Sequence, residues 1–190
     1  MEARRARLPA LLFCLAVLLL PAPAAEASQS VSLVKLAIDN QAGSLMARFG
    51  VEVRGSREMA ANLKDGVVLG LSCHALLEAT RGWLPARVLA ENELTCRLRQ
   101  DPLSLEYALT LPGREAPLTD KSLEALLAKG LAELRIDLGP WSRLEQGKSY
   151  RVTVTVRLKH LDVPNWFLRT LFFWTWDIVP KAVQKLEFTH

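Results

Sequence analysis

Six side chains in this sequence have the chemistry of a nucleophile, a general base or a soft metal ligand: Cys14, Cys73, Cys96, His74, His160 and His190. A metal centre needs such ligands at short recurring spacings, and none of these residues stands at one. Cys73 and His74 are adjacent and invite a thiolate–imidazole reading. They lie, however, in "VVLGLSCHALLEA", which alternates as a strand, and strand neighbours point to opposite faces. His74 therefore reads as a surface histidine. GxSxG, HExxH and a phosphate-cradling glycine loop do not occur. Glu91 and Glu93 share one strand face, and Glu133 and Asp137 another. Paired carboxylates on an exposed strand are solvated charges, because only a cleft splits their pKa values into acid and base roles. The chain reads as a non-enzyme, with no catalytic, cofactor-binding or metal-binding residue assigned.

Cys73 and Cys96 are the two cysteines outside the N-terminal leader. Their midpoint falls between Leu84 and Pro85, inside "RGWLPAR", the natural turn between two alternating runs. A hairpin closing there sets Cys73 opposite Cys96, and each lies on the apolar phase of its own strand. With export to an oxidising compartment, this register predicts a disulfide; the rival reading is two buried thiols. No CxxC spacing is present to make the pair redox-active.

The most unusual stretch is "NWFLRTLFFWTWDIVP", residues 165–180, which holds Trp166, Phe167, Phe172, Phe173, Trp174 and Trp176. On a helical wheel Phe167, Leu171, Trp174 and Ile178 form one row, leaving Phe173 and Trp176 on the polar flank with Arg169 and Asp177. Pro164 and Pro180 bound an expected amphipathic helix. With Arg169 and Asp177 inside it, this segment is too short and too polar for a bilayer span, which takes about 20 apolar residues. Three readings remain: a lid on the domain's own core, a docking helix for a membrane surface or partner, and the cover of a small-ligand pocket. The six aromatics are the candidate interaction residues.

The elements that would position these residues are mostly strands. "SYRVTVTVRLKH" alternates Tyr150, Val152, Val154, Val156 and Leu158 with polar residues. "VSLVKLAID" and "SLMARFGVEV" flank "NQAG", a hairpin turn, and "RVLAENELTCRLR" alternates through Val88, Ala90, Leu94, Cys96 and Leu98. "LSLEYALTL" reads as a further strand after the turn opener Asp101–Pro102. Two short helices are expected, one capped by Ser56 and ended by Gly66, the other capped by Asp120 or Thr119 and ended by Gly130. Leu186 and Phe188 alternate well enough to bring the tail back to a sheet. The expected fold is mainly β: an antiparallel sandwich of about eight strands with two short helices and the C-terminal aromatic helix. A β-barrel-like ligand carrier is the alternative.

Arg4, Arg5 and Arg7 precede the apolar run Leu8–Leu20, and "PAPAAEA" follows with Ala25 and Ala27 at −3 and −1 of a cleavage site. Residues 1–27 thus read as a signal peptide, with an uncleaved anchor as the rival, and residues 28–190 as one domain. Removing the leader takes away three arginines and two glutamates, so a net charge of +4 becomes +3, without a basic block that would recommend nucleic acid.

Trp83 after a strand, Arg97–Arg99 leading into a turn and the Tyr107 strand, the leucine-rich helix Leu123–Leu127, and Gly147 and Tyr150 opening a long strand that exits through Leu161–Pro164 form a recognisable order. Over residues 31–176 the chain resembles a bacterial domain-of-unknown-function family of exported proteins. The resemblance implies a cell-envelope protein, often encoded near a membrane-bound sensor kinase. It carries over no site residue, and the cysteine pair is not part of its pattern. The resulting expectation is a non-enzymatic periplasmic module that docks an envelope or inner-membrane protein, or the membrane surface, through residues 164–180. A carrier of a small apolar ligand is the alternative. No cofactor and no nucleic-acid partner are expected.

Overall fold

Strict alternation over "SYRVTVTVRLKH" forces one face of that strand inward, and Tyr150, Val152, Val154, Val156 and Leu158 are all buried while Arg151, Thr153 and Thr155 are half-buried. The computed structural model describes residues 29–82, 84–161 and 180–190. Its strands are β1 (Ser30–Gln41), β2 (Ser44–Arg54), β3 (Leu69–Arg81), β4 (Leu84–Gln100), β5 (Tyr107–Thr110), β6 (Leu118–Asp120), β7 (Leu134–Pro140), β8 (Ser149–His160) and β9 (Ala182–Thr189). They form a three-stranded sheet, β1-β2-β7, and a six-stranded sheet, β6-β5-β4-β3-β8-β9, with every pairing antiparallel. The larger sheet curls into a half-barrel. One apolar core joins the sheets: Phe49 and Ile136 from the small one, Leu69, Leu77, Val154 and Leu109 from the large one.

Two helices, α1 (Ser56–Lys64) and α2 (Leu123–Gly130), contribute Met59, Leu63, Leu126 and Leu127 to that core. Ser56 Oγ donates to the Glu124 carboxylate at 2.7 Å and links the two helices. The "NQAG" hairpin forms as expected: Ala42 and Gly43 both have positive φ, 51° and 86°, as a two-residue turn of the primed type requires. Asn40 Oδ1 accepts from the Gly43 amide at 3.0 Å and fixes the turn. The tail also returns as expected, with β9 laid along β8 from Val156↔Ala182 to Ser149↔Thr189.

The mainly β, two-sheet architecture with two short helices agrees with the sequence, but several details are corrected. There are nine strands among the described residues, because "LTD" pairs with β5 as β6 instead of capping a helix. Ser122, not Asp120 or Thr119, caps α2: its hydroxyl accepts from the Ala125 amide at 3.3 Å, while Asp120 accepts from the Ser122 amide at 2.7 Å. Gly55, with a left-handed φ of 76°, precedes α1, and Ser56 is already its first helical residue. The β3–β4 register also differs. Irregularities at Leu77/Glu78 and Ala79/Arg81 tighten the hairpin so that it closes at Arg81↔Leu84. Cys73 therefore faces Leu94, and Cys96 faces Leu71. The expected C-terminal aromatic helix lies outside the described residues, as does the expected signal peptide.

Candidate functional site

The six predicted interaction residues Trp166, Phe167, Phe172, Phe173, Trp174 and Trp176 lie outside the described residues. What the fold does define is the place that joins them to the domain. β8 ends at His160, β9 begins at Ala182, and the two strands are neighbours in the larger sheet. Leu69 faces both Leu98 of β4 and His160 of β8, so the start of β3 and the ends of β4 and β8 share one end of that sheet. Leu161 continues past β8, its amide donating to Val68 O at 2.9 Å, and its side chain lies over Gly70, where a Cβ would fall 2.6 Å from Leu161 Cγ.

At this same end β4 turns into β5 through residues 101–106, and here two leucines stand in water. Leu103 is 94 % exposed and Leu105 is 65 % exposed. The turn that presents them is firmly built. Asp101 Oδ1 accepts from the Leu103 and Ser104 amides at 2.9 Å each, the Leu105 amide donates to Asp101 O, the Asp101 amide donates to Glu106 O, and Gln100 Nε2 donates to Leu105 O. The Ser104 and Leu103 amides hold the Asp101 carboxyl below its ordinary pKa, so it stays ionised. Leu105 itself sits at a φ of 59°, a left-handed conformation that a leucine adopts only under constraint. The alternation in "LSLEYALTL" predicted a continuous strand here. The signal that points to the turn is the Asp101–Pro102 pair followed by Ser104, because the Asp carboxylate competes with a strand partner for the next two amides.

The outer face of the sheet near this end is basic. Leu69, Leu71, Leu98 and Leu158 face the core, which turns Arg97, Arg99, Arg157 and Lys159 outward between them. Arg97 and Lys159 flank Gly70, and Arg157 flanks Ser72. The sign changes one step further along: Ser72 Oγ donates to the Glu93 carboxylate, and His74 Nε2 lies 2.7 Å from Glu91 Oε1. His74 thus sits on the outer face, as the alternation predicted. Burial lowers the pKa of His160, at the strand end.

Cys73 and Cys96 are both free and buried, on the same inward face but two residues out of register. Diagonal positions on an antiparallel pair hold their Cβ atoms well beyond the roughly 3.5–4.5 Å that a disulfide requires. Burial raises the pKa of both thiols, Cys96 to about 11 and Cys73 further, with Cys96 adding to the effect at Cys73. Neither is an activated nucleophile. Among the described residues no group of three or more His, Cys, Asp or Glu is placed to hold a metal ion, and no helix is long and apolar enough to cross a membrane.

Three spaces in the fold bear on ligand binding, one of them a cleft of about 340 Å³ between β2 and α2 lined by Val34, Val51, Val53 and Leu127. A cleft of about 460 Å³ opens at the other end of the larger sheet, lined by Arg87, Arg143, Glu145 and Lys148. Arg143 there donates to Leu89 O at 3.5 Å, strapping the loop before β8 onto β4. Inside the core, a gap beside Met59, Cys96, Leu127 and Leu158 measures about 10 Å³. That is about the space of a single water and far below that of an apolar ligand.

No curated protein matches the chain. Residues 28–186 match the sequence model of the family described as Domain of unknown function (DUF4390), a match spanning both sheets, both helices and the turn that carries Leu103 and Leu105. The chain belongs to that family.

Proposed function

We propose that this chain is a non-enzymatic, exported cell-envelope module that docks a membrane-bound partner or the membrane surface. The contact is the end of the larger sheet where the aromatic sequence of residues 165–180 joins β8 to β9. In this reading residues 1–27 direct export and are removed, and the domain works in the periplasm. The observation that carries it is the pair Leu103 and Leu105, held in solvent by a hydrogen-bonded turn at that end. Scattered single leucines on a surface are ordinary, but two within one constrained turn, at the sheet end where β8 stops, are the anatomy of a contact. The carrier reading has less support, because the described core is filled by its own side chains apart from a gap of about 10 Å³.

Fractionation of cells expressing the full-length chain tests this. The processed protein is expected to partition with the envelope membranes, and Trp174→Ala with Trp176→Ala is expected to release it. A protein found wholly in the soluble periplasmic fraction, with no partner captured by crosslinking in intact envelopes, would overturn the proposal.

A further inference from the structure

We infer that the surface docked by this end of the sheet is anionic lipid, with Leu103 and Leu105 entering the interface while Arg97, Arg99, Arg157 and Lys159 face the headgroup phosphates. This inference rests on the docking reading above and names its partner. Three observations carry it. The first is charge complementarity. The outward positions nearest the end, on β4 and β8, are arginine or lysine, and among the described residues none of these four is in an ion pair. On this outer face of β4 the acids Glu93 and Glu91 lie farther from the end, the first bonded to Ser72 and the second 2.7 Å from His74, so the outward positions of the strands nearest the end are cationic. The turn itself carries two acids, Asp101, whose carboxylate is held by two backbone amides, and the half-buried Glu106, so the four cations exceed them by two formal charges.

The second observation is shape. The cations are spread over separate strands of an open face instead of lining a cleft, which suits a sheet of phosphates better than one small anion. The apolar part is two leucine side chains on a narrow turn. That is too little area for a specific protein interface, which takes about 1,000 Å² or more, but it is ample for shallow insertion below the headgroups. Leu161, lying over Gly70 between Arg97 and Lys159, extends the apolar line onto the basic face. The third observation is rigidity. The hydrogen bonds of Asp101 and Gln100 fix the turn before contact, so little conformational entropy is lost on insertion.

A photoreactive residue in place of Leu103, in the full-length chain expressed in exporting cells, decides the partner directly. Illumination of intact envelopes is expected to give phospholipid adducts. The protein purified from the same cells is expected to float with vesicles of three parts phosphatidylcholine to one part phosphatidylglycerol, at least about tenfold better than with phosphatidylcholine alone. Arg97→Gln with Arg99→Gln, Arg157→Gln and Lys159→Gln should abolish that preference, and so should raising the salt. Protein adducts without lipid adducts, and flotation indifferent to phosphatidylglycerol, would overturn the lipid assignment and leave the docking reading standing. Absence of any adduct, together with absence of flotation, would overturn both. Leu103→Ser with Leu105→Ser serves as the folding control: it should retain the thermal transition and lose the vesicles.

Discussion

At the end of the larger sheet where β8 begins, the chain is stitched together; at the end where β8 finishes, the described residues leave two leucines in solvent. Around Ser149, the Gly147 amide donates to His190 O at 2.6 Å and the His190 amide donates to Lys148 O at 3.1 Å, clamping the last residue onto the turn before β8. Trp141 and His190 meet edge to face at 5.3 Å, Tyr150 packs on Phe188 at 5.6 Å, and the Tyr150 hydroxyl accepts from the Glu145 amide at 2.7 Å. Around His160, by contrast, the constrained turn directs its bonds inward to itself and its leucines outward. Among the described residues, aromatic packing and main-chain clamps gather at the first end, and two leucines stand in solvent at the second. A fold needs one well-tied end for stability, and that frees the opposite end to be shaped by something other than stability.

The sharpest way to break this contrast is to damage each end and compare. Tyr150→Ala removes a side chain that is 2 % exposed together with its hydrogen bonds, and urea denaturation should register a loss of about 3–5 kcal/mol. Leu103→Ser with Leu105→Ser should change the same midpoint by no more than about 0.5 kcal/mol. Comparable losses at both ends would mean that the open end is structural after all.

The thiols give the next largest effect. With Cys96 raised to about 11 by burial, its thiolate population near neutral pH falls roughly a hundredfold below that of a free cysteine, and Cys73 falls further. Both should resist alkylation in the native protein and react only on unfolding, as followed by mass spectrometry. Resistance that persists in denaturant until a reductant is added would instead mean a bridge, and hence a register two residues away from the one seen.

Glycines contrast the core with the open end on a smaller scale. A methyl at Gly130 would collide with Leu109, which is 1 % exposed and cannot retreat, so Gly130→Ala should cost about 1–3 kcal/mol in thermal denaturation. A methyl at Gly70 meets only Leu161, which is half-buried at a strand end and can swing away. Gly70→Ala should cost under about 1 kcal/mol and act instead on membrane partitioning.

The smallest effect is a pH slope at the open end. Burial puts the folded pKa of His160 below its ordinary 6.5, so the native state binds fewer protons than the unfolded chain. Its contribution is fully present above that value and is lost as pH falls through it toward the folded pKa. Urea midpoints measured across that window should decline, and His160→Gln should remove that part of the decline.

Much of this contrast was written in local patterns, and the part that was not has a physical reason. Period two marked β8, β3 and β9 correctly because one face of each packs on the core, and burial follows the alternation residue by residue. The turn "NQAG" was legible because its conformation needs residues tolerant of positive φ. Pairing register was not legible, since the irregularities at Leu77/Glu78 and Ala79/Arg81 are settled between two strands and belong to neither alone. Composition alone raised the expectation of a contact in the aromatic segment, whereas Leu103 and Leu105 looked like strand residues. Their exposure depends on the Asp101 carboxylate capturing two amides and on Leu105 accepting a left-handed backbone.

The way the sheets stop has a consequence for how the chain behaves in a crowd. An unpaired strand edge is a template for another molecule, and each edge here is blunted. β6 is three residues long, β7 ends in Gly139–Pro140, β1 carries a kink with Lys35 at a φ of 57°, and β9 alternates Lys185 and Glu187 toward solvent. Self-association through backbone ladders is thereby discouraged at all of them. The leucine tip remains the adhesive point of the described surface, so colloidal behaviour at high concentration should follow Leu103 and Leu105 more than any strand edge.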